Sequence, residues 1–164
     1  MAGFGRIGRS LAERVGALGF PIHIWDPYLT EVPDSVIRWD TVRELAAAVN
    51  HLSIHMPSTQ QTAGTIDESV LEALGARGHL VNTARGALVD EDALLSSLNS
   101  GALGFASLDV LSSEPPTSTA AVIAEHERVL VTPHIAYLST DSLPQLRLRA
   151  AQIARQLLTR ESVR

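Results

Sequence analysis

Gly3-Phe4-Gly5-Arg6-Ile7-Gly8 stands two residues into the chain, and its reading decides the fold. The spacing fits G-x-G-x-x-G, and each glycine has a physical reason. Gly3 permits a tight turn, Gly5 lets the backbone approach a pyrophosphate, and Gly8 lets a helix pack closely on a sheet. Residues Arg6 to Leu18 supply that helix, with Ile7, Leu11, Val15 and Leu18 on one face and Gly19 placed to stop it. A helix starting there offers unpaired N–H groups and a partial positive charge to phosphates. The same pattern also occurs as a plain glycine-rich turn. A second feature favours the ligand reading. Trp25-Asp26 closes the next strand pattern about 20 residues downstream, where a ribose-binding acid belongs. A carboxylate there accepts hydrogen bonds from the 2′ and 3′ hydroxyls and repels a 2′-phosphate, so NAD is expected in preference to NADP. The competing reading makes Asp26 a turn residue before Pro27.

Working outward, strand-like and helix-like patterns alternate to the end of the chain. Pro21 to Trp25 reads as a short strand. Thr41-Val42-Arg43-Glu44 is a capping box opening a helix from Glu44 to Val49. Leu52 to Met56 is the next strand, closed by Pro57. Asp67 starts a short helix that Gly75 ends. Leu80-Val81-Asn82 is a strand, and Asp90 caps a helix from Glu91 to Leu98 that Gly101 ends. Phe105 to Val110 and Val129 to Thr132 are strands. An amphipathic helix follows Pro144, with Leu146, Ala150, Ile153, Ala154 and Leu157 on one face. The cluster from Ser112 to Thr119 reads as one surface loop. Alternation of this kind implies parallel pairing, because each crossover returns to the same sheet edge. The expected architecture is α/β, a Rossmann-like doubly wound parallel sheet with helices on both faces. Its first strand is expected to be largely missing, since only Met1-Ala2 precedes the glycine turn. That strand is central in such a sheet, and each neighbour group left unpaired costs about 1 kcal/mol.

The bulk properties exclude several function classes. A formal net charge of -5 argues against a general nucleic-acid binder and against an anionic membrane surface. The absence of cysteine excludes disulfides, thiolate catalysis and cysteine-ligated metals. No apolar run approaches a membrane span and no signal peptide opens the chain, so the cytoplasm is the expected location.

Three segments carry polar residues without evident structural need: Asn82 to Asp90, Ser107 to Pro115 and Val131 to Ala136. Each follows a strand pattern, where ligands sit in open parallel sheets. Arg85, Asp109, Glu114 and His134 can therefore converge on one crevice. An arginine holds a carboxylate through two parallel hydrogen bonds. A histidine suits proton transfer near neutral pH, and a glutamate beside it orients the ring. Taken singly, Arg85 also reads as a turn residue, Glu114 as a solvated loop charge and His134 as a satisfied loop histidine. His51 and His55 lack a third ligand and lie on a strand pattern, so no metal site is expected. His23, His79 and His126 read as exposed.

Read together, Gly3 to Arg9, His55-Met56-Pro57, Val81 to Gly86, Leu108-Asp109-Val110 and Thr132-Pro133-His134 resemble the signatures of the D-isomer-specific 2-hydroxyacid dehydrogenase family. That family includes phosphoglycerate dehydrogenase, glycerate dehydrogenase and hydroxypyruvate reductase. The resemblance implies an NAD-dependent oxidoreductase acting on a small 2-hydroxy or 2-oxo acid. It assigns Arg85 to the substrate carboxylate and carbonyl, His134 to acid/base work on the substrate oxygen, and Glu114 to His134 as partner. It assigns the nicotinamide amide to Asp109 and the Thr83-Ala84 backbone, the pyrophosphate to Arg6 and Ile7 beside Gly3, Gly5 and Gly8, and the ribose to Asp26. Residues 1–164 are expected to form the NAD-binding domain with the substrate domain absent. A homodimer is implied for a full-length form. The alternative is an NAD-binding module, or an inactive remnant, without turnover.

Overall fold

The computed structural model describes residues 1–161. Helix α1 (Arg6–Ala17) follows the glycine turn directly. Strands β1 (Ile22–Ile24) and β2 (Val36–Arg38) pair in parallel, with Ile22 opposite Val36. Helix α2 (Val42–Ala47) leads to β3 (His51–Ile54), and α3 (Glu68–Leu74) to β4 (His79–Asn82). Then come α4 (Glu91–Ser100), β5 (Phe105–Leu108), α5 (Ser118–Ala124), β6 (Val129–Val131) and α6 (Ser142–Glu161). Strands β3, β4, β5 and β6 form a parallel sheet in that order.

Local chemistry accounts for most of the boundaries. Thr41 and Glu44 complete the expected capping box at α2. The Asp67 side chain accepts the Val70 N–H at α3, and the Asp90 carboxylate accepts the N–H groups of Asp92 and Ala93 at α4. Gly101 ends α4 in the left-handed conformation that glycine adopts without penalty.

Met1 and Ala2 sit where the first strand belongs. Ala2 forms parallel bridges to Trp25 on one side and Ile54 on the other. Its N–H donates to the Ser53 carbonyl at 2.9 Å and its carbonyl accepts from His55 at 2.7 Å. The Met1 carbonyl accepts from Trp25 at 3.1 Å. The order is therefore β2, β1, residues 1–2, β3, β4, β5, β6, which reverses direction at Ala2. A right-handed crossover rule puts helices on opposite faces either side of such a reversal. The buried side chains divide accordingly. One cluster gathers Phe4, Ala12, Ile22 and Ile24 around α1 and β1. The larger one runs from Ala2, Leu45 and Ile54 through Leu71, Leu80, Leu94 and Leu108 to Ile123.

Several local expectations are corrected. Strand β2 was not foreseen. Ser112 to Thr119 is not one loop, because α5 begins at Ser118. Helix α6 begins at Ser142, so Pro144 lies inside its first turn, where a missing N–H costs nothing. His23, His79 and His126 are half-buried and bonded. Trp39 Nε1 donates to His23 Nδ1 at 3.0 Å, His79 Nε2 lies 2.9 Å from Ser107 Oγ, and the Arg128 N–H donates to His126 Nδ1 at 3.1 Å.

The chain divides into two compact units, Met1–Pro133 and His134–Arg164. Within the second, the α6 side chains Leu146, Ile153 and Leu157 are exposed. No helix among the described residues is long and apolar enough to cross a membrane.

Candidate functional site

The glycine turn is built as its spacing requires. Gly3 adopts φ +93°, and a Cβ there would lie 2.7 Å from the His55 carbonyl carbon and 2.9 Å from the Met56 nitrogen. A Cβ on Gly8 would lie 2.5 Å from the Gly3 oxygen. Gly5 differs, since a Cβ there would meet no atom within 4 Å. Gly3 and Gly8 are thus closed by the protein's own backbone, while the Gly5 face stays open to a ligand. Gly5 is the N-cap of α1 and places no side chain over the first turn. Arg6 and Ile7 are exposed beside it. The residues fit a pyrophosphate, which needs an open approach and unoccupied amides at a helix start.

Asp26 follows β1 and reaches back to this turn. Its Oδ2 accepts the Phe4 N–H at 2.8 Å, and its Oδ1 accepts the Tyr28 N–H at 3.0 Å. The carboxylate is therefore fixed against the glycine turn, so Asp26 and the turn of residues 3–8 come together.

His55 lies under the same corner, one residue past β3, with Nε2 2.9 Å from Ser53 Oγ. Burial, with a smaller push from the nearby Met1 ammonium, lowers its pKa from 6.5 to about 4. The unfolded chain then takes up a proton at higher pH than the folded one. The His55 contribution to thermal stability is expected to be full above pH 6.5 and to be lost as the pH drops toward 4. Melting curves of the parent and His55→Gln across that window check this. A slope that is the same in both chains would remove His55 as the cause.

The second group of expected residues follows β4 and β5. Asn82, the last residue of β4, is 1% exposed. Its Oδ1 accepts the Ala84 N–H at 3.0 Å and its Nδ2 donates to the Arg85 carbonyl at 2.9 Å. Its own carbonyl accepts the Asp109 N–H at 2.9 Å. Thr83 and Arg85 are exposed, and an Arg85 guanidinium N–H donates to the Ala84 carbonyl at 2.5 Å. Both backbone groups of Ala84 are thus engaged within the turn. Asp109 follows β5, is buried, and accepts a hydrogen bond from the Thr132 hydroxyl just past β6. Glu114 accepts the Leu111 N–H at 3.3 Å. The two loops touch at Gly86, where a Cβ would lie 2.1 Å from the Leu111 carbonyl carbon and oxygen.

Asn82, Gly86 and Thr132 were not singled out from the sequence. They lie within the segments Val81 to Gly86 and Thr132-Pro133-His134, which carried the signal without assigning these three a role. His134 opens the second unit and adopts φ +52°, with its ring edge-on to Tyr137 at 5.7 Å between centroids. Among the described residues no three His, Cys, Asp or Glu side chains gather as a metal site.

The chain as a whole is similar to known proteins. The family model for the NAD binding domain of D-isomer specific 2-hydroxyacid dehydrogenases matches residues 1–136. A D-3-phosphoglycerate dehydrogenase from Bacillus subtilis is 34% identical over 160 residues, covering 96% of this chain and 30% of that protein. The chain therefore spans about a third of such relatives, 30% and 31% for the Bacillus and Mycobacterium bovis enzymes. Among solved structures, an NADPH-dependent glyoxylate/hydroxypyruvate reductase from Sinorhizobium meliloti, in complex with NADP and malonate, aligns with a TM-score of 0.79 at 34% identity. The alignment covers 85% of this chain and 43% of that one. A D-lactate dehydrogenase from Lactobacillus jensenii, solved with NAD+, aligns with a TM-score of 0.79 at 27% identity, covering 87% and 47%. The chain belongs to the D-isomer specific 2-hydroxyacid dehydrogenase family and is an NAD-binding domain of that family.

Proposed function

We propose that this domain serves a dehydrogenase that passes a hydride between C2 of a small D-2-hydroxy acid and NAD. The observation that carries the reading is the open Gly5 face beside a fixed Asp26 carboxylate. Gly3, Gly5 and Gly8, with Arg6 and Ile7, hold the pyrophosphate through main-chain groups at the start of α1. Asp26 accepts from the ribose hydroxyls. A 2′-phosphate would meet that carboxylate at close range, which favours NAD over NADP by charge repulsion. Thr83, Ala84 and Asp109 serve the nicotinamide amide.

When bound, the cofactor supplies the hydride acceptor. By the family pattern, Arg85 holds the substrate carboxylate through paired hydrogen bonds. His134 takes the C2 hydroxyl proton in oxidation and returns it in reduction, with Glu114 as its partner. The partner molecule is a small 2-hydroxy or 2-oxo acid, and a cytoplasmic location accompanies this reading.

The test follows NADH absorbance with D-glycerate, glyoxylate and hydroxypyruvate, alongside calorimetric titration of NAD and NADP. NAD is expected to bind more tightly than NADP. Where turnover is measurable, Arg85→Ala is expected to lower kcat/KM by roughly 100-fold. An unchanged rate in that variant removes the role of Arg85. Tight NAD binding without turnover on any of these acids favours the binding-module reading instead.

A further inference from the structure

We infer that Asn82 is a positioning residue for the nicotinamide end of the site, setting the turn that presents Thr83, Ala84 and Arg85. The inference rests on the function proposed above. Its basis is the way one side chain brackets one turn. The carboxamide accepts from the Ala84 N–H at 3.0 Å and donates to the Arg85 carbonyl at 2.9 Å. An amide is the side chain suited to this, because it carries an acceptor and a donor on one rigid plane. Asn82 is 1% exposed, so water does not compete for either bond. Losing the side chain would leave the Ala84 N–H unsatisfied and the Arg85 carbonyl with the Leu88 N–H alone, at 3.3 Å.

The same residue ties the turn to the neighbouring loop. Its main-chain carbonyl accepts the Asp109 N–H at 2.9 Å, and the Asp109 carboxylate takes the Thr132 hydroxyl. The backbone of residues 83–85 and the start of the loop after β5 are thus referenced to one point at the end of β4. The Arg85 side chain is exposed, so its reach is set by where its own backbone is held. Asn82 does not touch the phosphate turn. No hydrogen bond joins it to residues 3–8 or to Asp26 among the described residues. Its influence should therefore divide the cofactor in two, governing the nicotinamide half and sparing the ADP-ribose half.

Asn82→Asp is the sharpest change. The carboxylate still accepts from Ala84, but it cannot donate to the Arg85 carbonyl and repels it. The experiment measures affinities for ADP-ribose, NAD and oxamate (in the presence of NAD) by calorimetry, with melting curves as a control on folding. Asn82→Asp is expected to leave ADP-ribose affinity within about 3-fold of the parent. Oxamate affinity should fall about 10-fold or more, which corresponds to roughly 1.4 kcal/mol. NAD should lose whatever advantage it holds over ADP-ribose. Asn82→Ser, which keeps a short donor, should fall between the two and serves alone if Asn82→Asp does not fold. Equal loss of ADP-ribose and oxamate overturns the positioning role and leaves the proposed function intact. So does no loss of either. A parent chain that binds ADP-ribose and NAD equally and takes no oxamate overturns both.

Discussion

Gly3→Ala is expected to lower stability by roughly 3 kcal/mol and to abolish measurable nucleotide binding. Two independent costs add at this position. The backbone holds φ +93°, which a residue with a Cβ adopts at a cost of about 1–3 kcal/mol. The new methyl would also lie 2.7 Å from the His55 carbonyl carbon and 2.8 Å from its oxygen. Those are backbone atoms of the segment just past β3, so no flexible side chain can swing aside. Overpacking of that kind costs about 1–3 kcal/mol. The turn must open, and with it the Phe4 N–H that fixes Asp26. Chemical denaturation and calorimetric titration with NAD check both parts. A Gly3→Ala chain with parent-like stability would show that the turn is not seated on His55. Gly5→Ala is the control for crowding, since its methyl meets no protein atom within 4 Å and only the weaker N-cap preference of alanine is at stake.

Gly86→Ala is expected to be at least as damaging to folding, for a different reason. A Cβ at this position would lie 2.1 Å from the Leu111 carbonyl carbon and oxygen and 2.5 Å from the Ser112 nitrogen. One of the two loops must move bodily. The loop after β5 is held by the Leu111 N–H on Glu114 and by the Ser112 N–H and hydroxyl on Glu91. The turn at Arg85 is held by Asn82. Displacing either breaks hydrogen bonds as well as packing, for a loss of about 3 kcal/mol or more. For a chain of this size that corresponds to a fall in Tm of roughly 10 °C. A Tm within about 2 °C of the parent would mean that the two loops are not in contact in solution.

How much of this was legible from the sequence depended on the range of the interaction. Helices α3 and α4 announce themselves because Asp67, Gly75, Asp90 and Gly101 act on amides and carbonyls a few residues away. The glycine turn was legible for the same reason. Strand β2 was not, because three residues with Ile37 and Arg38 exposed carry no apolar period. Helix α5 was hidden by the Ser-Pro-Thr run before it and has no side-chain cap at Thr117. The half-buried histidines His23 and His79 were misread because their partners lie 16 and 28 residues away. In the candidate site, strand ends located Arg85, Asp109 and Glu114 on neighbouring loops. What the sequence did not carry was the means of holding them. Gly86 on Leu111, Thr132 on Asp109 and the Asn82 carbonyl on Asp109 meet only through the register of β4, β5 and β6, while the Asn82 side chain is short-range but lies in a turn of no standard capping pattern.

The seam at Ala2 has a consequence for how the domain comes apart. The segment comprising α1, β1 and β2 has its own small apolar cluster, and Met1 to Gly3 supply the main-chain bonds joining it to the larger sheet. Sub-global opening proceeds in contiguous cooperative blocks, and an opening that begins at this boundary would part the small cluster from the larger sheet. The glycine corner lies on that boundary, with Asp26 on one block and His55 on the other. A molecule seated there is held by the closed arrangement alone, so its binding free energy works as a fastener across the boundary.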